Sequence, residues 1–378
     1  MLENTGVHGR HRYNGCFVFI GDLRYDSRLQ NILRSLSKRF SSLALVQAAD
    51  ANETFRFENC DVMSLRLAPS LRGARKFLAF YRTLFPAVLS IDAEFYCAED
   101  VFSLPVAARA AARRRATLLY DSRELFFALA QLKDKRLKQT VWSSIERRYI
   151  SRARVFTSGE LDSQALAERY HIPVPTTIYN YPAFREIQRN QSLREKLNLS
   201  SDRVLLIYQG ILTEGRGISK SLDALKKLDE RFVLVLIGDG DLRQSIEKKI
   251  TEMNLSSRAF VLGRVPHGEL LNLTASADIG LALIEPISES YKLALPNKLF
   301  EYVLCSVPVV ASNLPAMQKV IDKYRIGITV DADSNEDLTN AISLVAENIY
   351  AYQRACLTAK LRLNWQTQET QLWSLFEP

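Results

Sequence analysis

No apolar run in this chain approaches the ~18 residues that a membrane-crossing helix requires, so no span is predicted. The first fifteen residues, MLENTGVHGRHRYNG, are polar and lack a signal-peptide core. The five cysteines, at positions 16, 60, 97, 305 and 356, are scattered, odd in number and without a CxxC pair. That usage predicts reduced packing residues in a cytosolic protein rather than a disulfide framework. The four histidines, at 8, 11, 171 and 267, have no metal-ligand spacing, so a zinc site is not expected. No internal repeat or low-complexity segment stands out.

What is present suits a two-domain globular protein. At 378 residues the chain is too long for one ordinary core, and 47% hydrophobic with 24% charged residues is ordinary globular composition. Its net charge of +8 is uneven: residues 1–185 hold 28 Lys and Arg against 18 Asp and Glu, while 186–378 hold 22 against 24. The basic excess concentrates at Arg72, Arg75, Lys76 and Arg82, at Arg109 and Arg113, Arg114 and Arg115, and at residues 133–138. Phe77, Leu78, Phe80, Tyr81, Leu84 and Phe85 interleave with the first group. This is the pattern of a basic amphipathic helix lying on an anionic membrane, and equally of a solvated helix with its apolar face in a core. No DNA or RNA motif accompanies the charge, so nucleic acid is not expected as a partner.

Strand and helix patterns alternate along the chain. In the first half, strands are expected at 16–21, 43–47, 87–91, 116–120, 153–158 and 176–179. Helices are expected at 27–40, 72–84, 105–115, 135–151 and 163–170. The strand at 87–91 would deliver Asp92 to its carboxyl edge. Residues 180–189 read as a linker. The pattern restarts with strands at 204–209, 232–237, 259–262, 279–283 and 307–311, separated by helices, and ends in an apolar tail over 361–376. Such alternation implies parallel, doubly wound sheets, with ligands bound outside the carboxyl ends of the strands.

Residues 285–312, EPISESYKLALPNKLFEYVLCSVPVVAS, are the most informative stretch. A polar loop with Ser288, Ser290 and Tyr291 precedes Pro296, which is expected at the first helical position, where no hydrogen bond is lost. The amides of Asn297, Lys298 and Leu299 would then lie open at the positive end of the helix dipole, an anion site. Glu301, four residues after Asn297, shares its face and suits sugar hydroxyls. A capped surface helix packing Leu299, Phe300 and Leu304 is the plainer alternative. Upstream, Arg216 between Gly215 and Gly217 suits a loop that brings backbone close to phosphate, or a plain strand-to-helix turn.

LPNKLFEY followed by VPVVAS resembles the nucleotide-sugar signature of retaining GT-B glycosyltransferases of the GT4 type. YQGILTEGRGI (208–218), LVLIGDGDLR (234–243) and FVLGRVPHGEL (260–270) fall in that family's order. The resemblance is strong over 203–344 and weak before it. It implies a GT-B fold: two doubly wound Rossmann-like domains facing across a cleft. The expected division is an acceptor-binding domain at 1–183, a nucleotide-sugar-binding domain at 184–356, and a helix at 357–378 crossing back to the first. It implies a retaining transferase that moves a sugar from a UDP- or GDP-linked donor to an acceptor; the basic amphipathic segments, rather than the resemblance, point to a glycan or lipid-linked one. No metal or other cofactor is expected; the protein would be cytoplasmic, and the basic segments of its first half would allow it to lie peripherally on the inner membrane face. Alternatives are a GT-B sugar-nucleotide epimerase and a non-catalytic nucleotide-sugar-binding subunit.

By the same resemblance the donor site comprises Gly210, Arg216, Gly217, Gly238, Gly263, Val265, Ser290, Tyr291, Leu295, Asn297, Lys298 and Glu301. Arg216, Lys298 and Arg123 take the catalytic roles, and Asp22, Asp26, Arg28, Asp121 and Glu124 the acceptor side. The chain departs from the family pattern in four places. Ile211 stands where an Arg usually follows the glycine, and Leu293 replaces the first of two glutamates. Arg123 stands where Asp-x-His-Glu has its His; it cannot act as a base but suits acceptor phosphate. Only Gly21 remains of the glycine pair after the first strand. Without a carboxylate pair or an evident catalytic His, the leaving phosphate is expected to deprotonate the acceptor.

Overall fold

The structure, a computed structural model, describes residues 12–67, 74–128, 135–331 and 334–377, with the side chains of Ala74, Lys76, Arg136, His267 and Asn335 left aside. Arg72, Lys133, His8 and His11 lie outside the described residues. The chain forms two compact units, residues 1–179 with 368–378, and residues 180–367.

In the first unit, β1 (Tyr13–Ile20), α1 (Ser27–Leu36), β2 (Leu43–Ala49), β3 (Glu53–Phe57) and β4 (Cys60–Arg66) lead into α2 (Ala74–Ser90). Then come β5 (Ala93–Ala98), α3 (Leu104–Arg114), β6 (Thr117–Ser122), α4 (Arg136–Ile150), β7 (Arg154–Thr157), α5 (Glu160–Tyr170) and β8 (Thr176–Thr177). Among the described residues the sheet order is β3-β4-β2-β1-β5-β6-β7-β8, parallel except for β3 on β4. The order reverses between β1 and β5, so the loops after those two strands diverge and open the usual ligand crevice of such a sheet.

Two readings of the sequence need correction here. Residues 87–91 are not a strand: 87–90 are the last turn of α2, which runs through Pro86. Phe80, Leu84 and Val88, all fully buried, form an i, i+4, i+8 stripe, and that helical period outweighs the short apolar run. The strand is β5, so Glu99 and Asp100, rather than Asp92, reach the carboxyl edge. The β3–β4 hairpin, turning at Glu58 with φ of 53°, was not expected from the sequence.

The second unit holds α6 (Ser192–Leu197), β9 (Val204–Gln209), α7 (Ile218–Lys227), β10 (Phe232–Ile237), α8 (Arg243–Glu252), β11 (Ala259–Gly263) and α9 (His267–Thr274). It continues with β12 (Ile279–Ala282), α10 (Glu289–Lys292), α11 (Asn297–Leu304), β13 (Val309–Ser312), α12 (Pro315–Tyr324), β14 (Gly327–Val330), α13 (Asn335–Glu347) and α14 (Ile349–Ala359). The described sheet is parallel throughout, ordered β11-β10-β9-β12-β13-β14, and reverses between β9 and β12. Its central strands are near-continuous hydrophobic runs such as FVLVLI, as a sheet covered on both faces requires. The tail helix α15 (Glu369–Phe376) packs in the first unit: Phe376 lies against Phe17 and Phe95, and Trp373 Nε1 donates to the Ser35 carbonyl at 2.9 Å.

Candidate active site

At the reversal point of the second sheet, β9 ends in Tyr208 and Gln209, with Gly210 next. Gly210 has φ of 133° and is exposed. Its neighbour Gly238, just after β10 and with φ of 150°, lies so close that an added Cβ would sit 1.8 Å from the Gly210 carbonyl oxygen. Gly238 N–H donates to the carbonyl of Gly263, the last residue of β11, at 2.8 Å, and Gly210 N–H to that of Ile237 at 2.9 Å. Glycine spacing here lets three adjacent strand ends meet backbone on backbone. Gly217, with φ of 64°, is the N-cap of α7 and receives support from Glu285, whose carboxylate accepts its amide at 3.2 Å.

The helix α11 approaches this edge with its N-terminus. Pro296 is its N-cap, with extended backbone (φ −74°, ψ 143°), one residue earlier than the first-turn position expected from the sequence. Leu299 N–H donates to the Pro296 carbonyl at 3.1 Å, so it is not an open donor, contrary to expectation. The open amides at the positive end of the helix are those of Asn297 and Lys298. The preceding segment is also not a plain loop: the Ser288 side chain caps the single turn of α10, accepting from Tyr291 N–H, and lies 3.1 Å from Ser290 Oγ.

Lys298 is the unusual residue. Its side chain is buried, and Nζ has no hydrogen-bond partner among the described residues. Nζ sits 3.6 Å from the centroid of the Tyr208 ring and 3.5 Å from where a Cβ on Gly210 would be. Burial, and then the charge of Arg216, hold its ammonium well below the ordinary lysine range, with Glu301 opposing them. Arg216 itself stacks over the Tyr291 ring at 4.8 Å. The strand end, the glycine loop, α10 and α11 thus bring Gly210, Arg216, Gly217, Tyr291, Lys298 and Glu301 together.

Glu301 is set by a relay that the sequence did not advertise. Gln209 Nε2 donates to Glu301, and Gln209 Oε1 accepts from Thr274 Oγ1 at 2.6 Å. One residue on, the buried Tyr302 hydroxyl accepts from Gln209 N–H at 3.2 Å and lies within reach of the carbonyls of Ile207 (3.2 Å) and Leu281 (3.3 Å). Gly280 makes room for that ring: a Cβ there would stand 2.4 Å from it. A polar Gln ending an otherwise apolar strand, VLLIYQ, was the available signal for this relay. Val265 and Leu295 are half-buried and pack against the apolar core, while Asn297 is exposed. Leu293, at the position of the missing glutamate, is the C-cap of α10.

The corresponding edge of the first sheet is different in kind. Arg28 is buried and grips Asp121 through Nε at 2.7 Å and Nη2 at 2.8 Å, while Nη1 donates to the Ile178 carbonyl at 2.6 Å. Arg123 pairs through Nη1 with Asp26 at 2.6 Å, through Nη2 with Glu99, and through Nε with Asp121 at 3.2 Å. Three carboxylates therefore surround the guanidinium for which the sequence suggested acceptor phosphate, and they oppose a further anion. Asp22 caps the short 3-10 turn after β1 and is bound by Arg24. Glu124 is exposed just beyond Arg123. Glu99 is fully buried; burial pushes its carboxyl up, against the pull of Arg123. It was missed because the strand before it was misplaced. Among the described residues no cluster of His, Cys, Asp and Glu is arranged to hold a metal ion.

Comparison with known proteins bears on both units. Residues 189–360 match the family described as Glycosyl transferases group 1. The GDP-mannose-dependent alpha-(1-6)-phosphatidylinositol dimannoside mannosyltransferase of Mycobacterium tuberculosis is 28% identical over 168 residues, 43% of this chain and 41% of its own length. The putative teichuronic acid biosynthesis glycosyltransferase TuaC of Bacillus subtilis is 22% identical over 156 residues, 41% of this chain and 36% of its own. The chain thus spans about two fifths of the length of the curated relatives it matches. The fold likeness extends further. Sucrose-phosphate synthase from Thermosynechococcus elongatus superposes with a TM-score of 0.77 at 15% identity, over 95% of this chain and 98% of that one. HepE of Anabaena, in complex with UDP-glucose, does so with a TM-score of 0.72 at 17% identity and the same coverage. On these matches the chain has the GT-B fold, and its residues 189–360 are similar to the glycosyl transferases group 1.

Proposed function

We propose that this protein is a retaining glycosyltransferase that takes a sugar from a UDP- or GDP-linked donor and passes it to a glycan or lipid-linked acceptor in polysaccharide or glycolipid synthesis. The observation that carries the reading is the buried Lys298, its Nζ without a hydrogen-bond partner among the described residues, close to Gly210, at the open N-terminus of α11 and beside Arg216. A diphosphate at Gly210 would meet two cations and the amides of Asn297 and Lys298. These stabilise charge as it builds on the leaving β-phosphate, the work a divalent metal does elsewhere. Glu301, oriented by Gln209, would accept ribose hydroxyls. The leaving phosphate, on the same face as the departing bond, would take the acceptor proton, which gives retention without a protein nucleophile. Ser290, Tyr291 and the backbone from 293 to 295 would hold the donor sugar in place of the missing glutamate. The relatives' names support the donor class: one is GDP-mannose-dependent, and a solved neighbour holds UDP-glucose.

Acceptor groups would lie on the first unit, with Asp26, Arg123 and Glu124 nearest the surface of its reversal point. A cytoplasmic, membrane-peripheral setting is part of the same proposal. Leu78 on α2 is 52% exposed and Leu137 on α4 is 80% exposed, near Arg75 and Lys138, while Phe77 of α2 meets Trp142 of α4 at 4.6 Å. Salt-sensitive sedimentation with anionic vesicles, weakened in an Arg75→Ser, Lys138→Ser variant, is the expected result. The activity test is transfer from UDP- and GDP-sugars in EDTA, with the product's anomeric configuration read by proton NMR. Inversion, or loss of transfer on chelation, counts against the reading. A product formed from donor alone would favour an epimerase, and nucleotide binding without transfer a non-catalytic subunit.

A further inference from the structure

The buried amine of Lys298 also suggests how the donor site handles charge. Nζ is shielded from solvent, has no acceptor among the described residues, and rests on the face of Tyr208. A buried ammonium without an acceptor is costly and relieves that cost by giving up its proton. The charged and titratable groups facing it come from each packed element. Tyr208 stands on β9, Arg216 on the loop after it, and Tyr291 on α10 touches Arg216. Glu301 and Tyr302 lie on its own helix. Arg216 opposes the charge; Glu301 and the Tyr208 ring favour it; burial is the largest influence and works against it. Gly210 is exposed and lies over Nζ, which sits 3.5 Å from where a Cβ on Gly210 would be, so an anion held at Gly210 would come within reach of the amine.

We propose that Lys298 is a proton-coupled anion clamp: a neutral amine when the donor site is empty, taking one proton from bulk solvent as a nucleoside diphosphate binds, and returning it when the diphosphate leaves. The inference rests on the donor-site reading above and adds to it. Binding draws in a positive charge only when a phosphate is there to pair with it, so the empty site escapes holding two unpaired cations side by side. Product release is then favoured as pH rises. In the coupled range, affinity falls about tenfold for each pH unit, as linkage to one proton requires.

The experiment is titration calorimetry of the full chain with UDP and GDP in EDTA at about pH 8.5, above the range in which a terminal phosphate titrates. It is run in two buffers of unlike ionisation enthalpy. The parent should take up close to one proton per nucleotide bound. Lys298→Arg, charged at every pH, should bind with close to none. The parent's affinity measured from about pH 8 to about pH 9 gives an independent reading that needs no variant, and should fall with the linkage slope. Binding by the parent without proton uptake and with a flat pH profile overturns the clamp and leaves the donor site standing. Equal uptake by parent and Lys298→Arg also overturns it. Failure of both nucleotides to bind the parent at any pH defeats the donor-site reading and the clamp together.

Discussion

The two doubly wound units solve opposite electrostatic problems at the same topological place. At the reversal point of the first sheet, Arg28 and Arg123 are enclosed by Asp26, Glu99 and Asp121, and every guanidinium nitrogen of Arg123 meets a carboxylate. At the reversal point of the second, Lys298 is as deeply placed but its Nζ has no hydrogen-bond partner among the described residues, and Arg216 is one of its charged neighbours. One edge is complete within itself; the other, in the function proposed above, would be completed by an anion. A shared sheet order fixes where a ligand is met; the side chains delivered there decide what is met.

Removing one charged group should therefore act on stability in the first unit and on ligand binding in the second. Arg123→Met strands Asp26 and Glu99, and breaking a buried ion network of this kind costs about 3–5 kcal/mol. The urea midpoint of the first unit should drop accordingly; a midpoint unchanged from the parent would show that the carboxylates relax or protonate at little cost. In the second unit, Glu301→Gln should weaken nucleoside diphosphate binding by about 1.5–3 kcal/mol, the range for a hydrogen bond to a charged group. Free pyrophosphate should bind as before, because Glu301 is assigned to the ribose. Equal losses for both ligands would make Glu301 a structural partner of Gln209 instead.

Backbone approach is a further distinction. Gly238→Ala forces a Cβ to within 1.8 Å of the Gly210 carbonyl oxygen at a φ of 150°, so strand ends must part. About 1–3 kcal/mol of stability should be lost, and nucleotide affinity should fall with it because Gly210 moves. Retained affinity would separate the glycine stack from the phosphate loop. The smallest effect is a slope. Burial raises the Glu99 carboxyl, so the native state holds a proton that the unfolded chain has released. Through the window above the ordinary glutamate range, stability therefore falls as pH rises. Glu99→Gln should flatten that slope in urea midpoints taken from about pH 5 to about pH 8; an unchanged slope would assign it to another group.

Much of the second unit was legible because its signals are local. A run such as FVLVLI is a strand fully covered on both faces, and Pro296 followed by an amphipathic period marks a helix start. Helix geometry placed Lys298 and Glu301 in the first turns of α11, and the family resemblance gave them their expected roles. The relay that orients Glu301 was not legible: Gln209, Thr274 and Tyr302 are joined by hydrogen bonds across 65 and 93 positions of sequence. The first unit failed at one point with consequences. Because Val88 and Leu89 lie in an apolar run after Pro86, they read as a strand, although Phe80, Leu84 and Val88 keep helical period. That slip put Asp92 at the carboxyl edge and hid Glu99. Arg123 then looked like a free cation, because the residues that engage it come from three separate strand ends.

The most direct test compares melting of the parent and Lys298→Met, each alone and with saturating UDP or GDP in EDTA. A buried amine without an acceptor adds nothing to the empty fold, so the variant should melt at or above the parent's temperature. It should then gain little from nucleotide, whereas a ligand held at about 100 times its Kd stabilises the parent by about 2.7 kcal/mol. A variant that melts well below the parent when empty, and gains the same nucleotide shift, would contradict the account of this edge as a site completed by an anion.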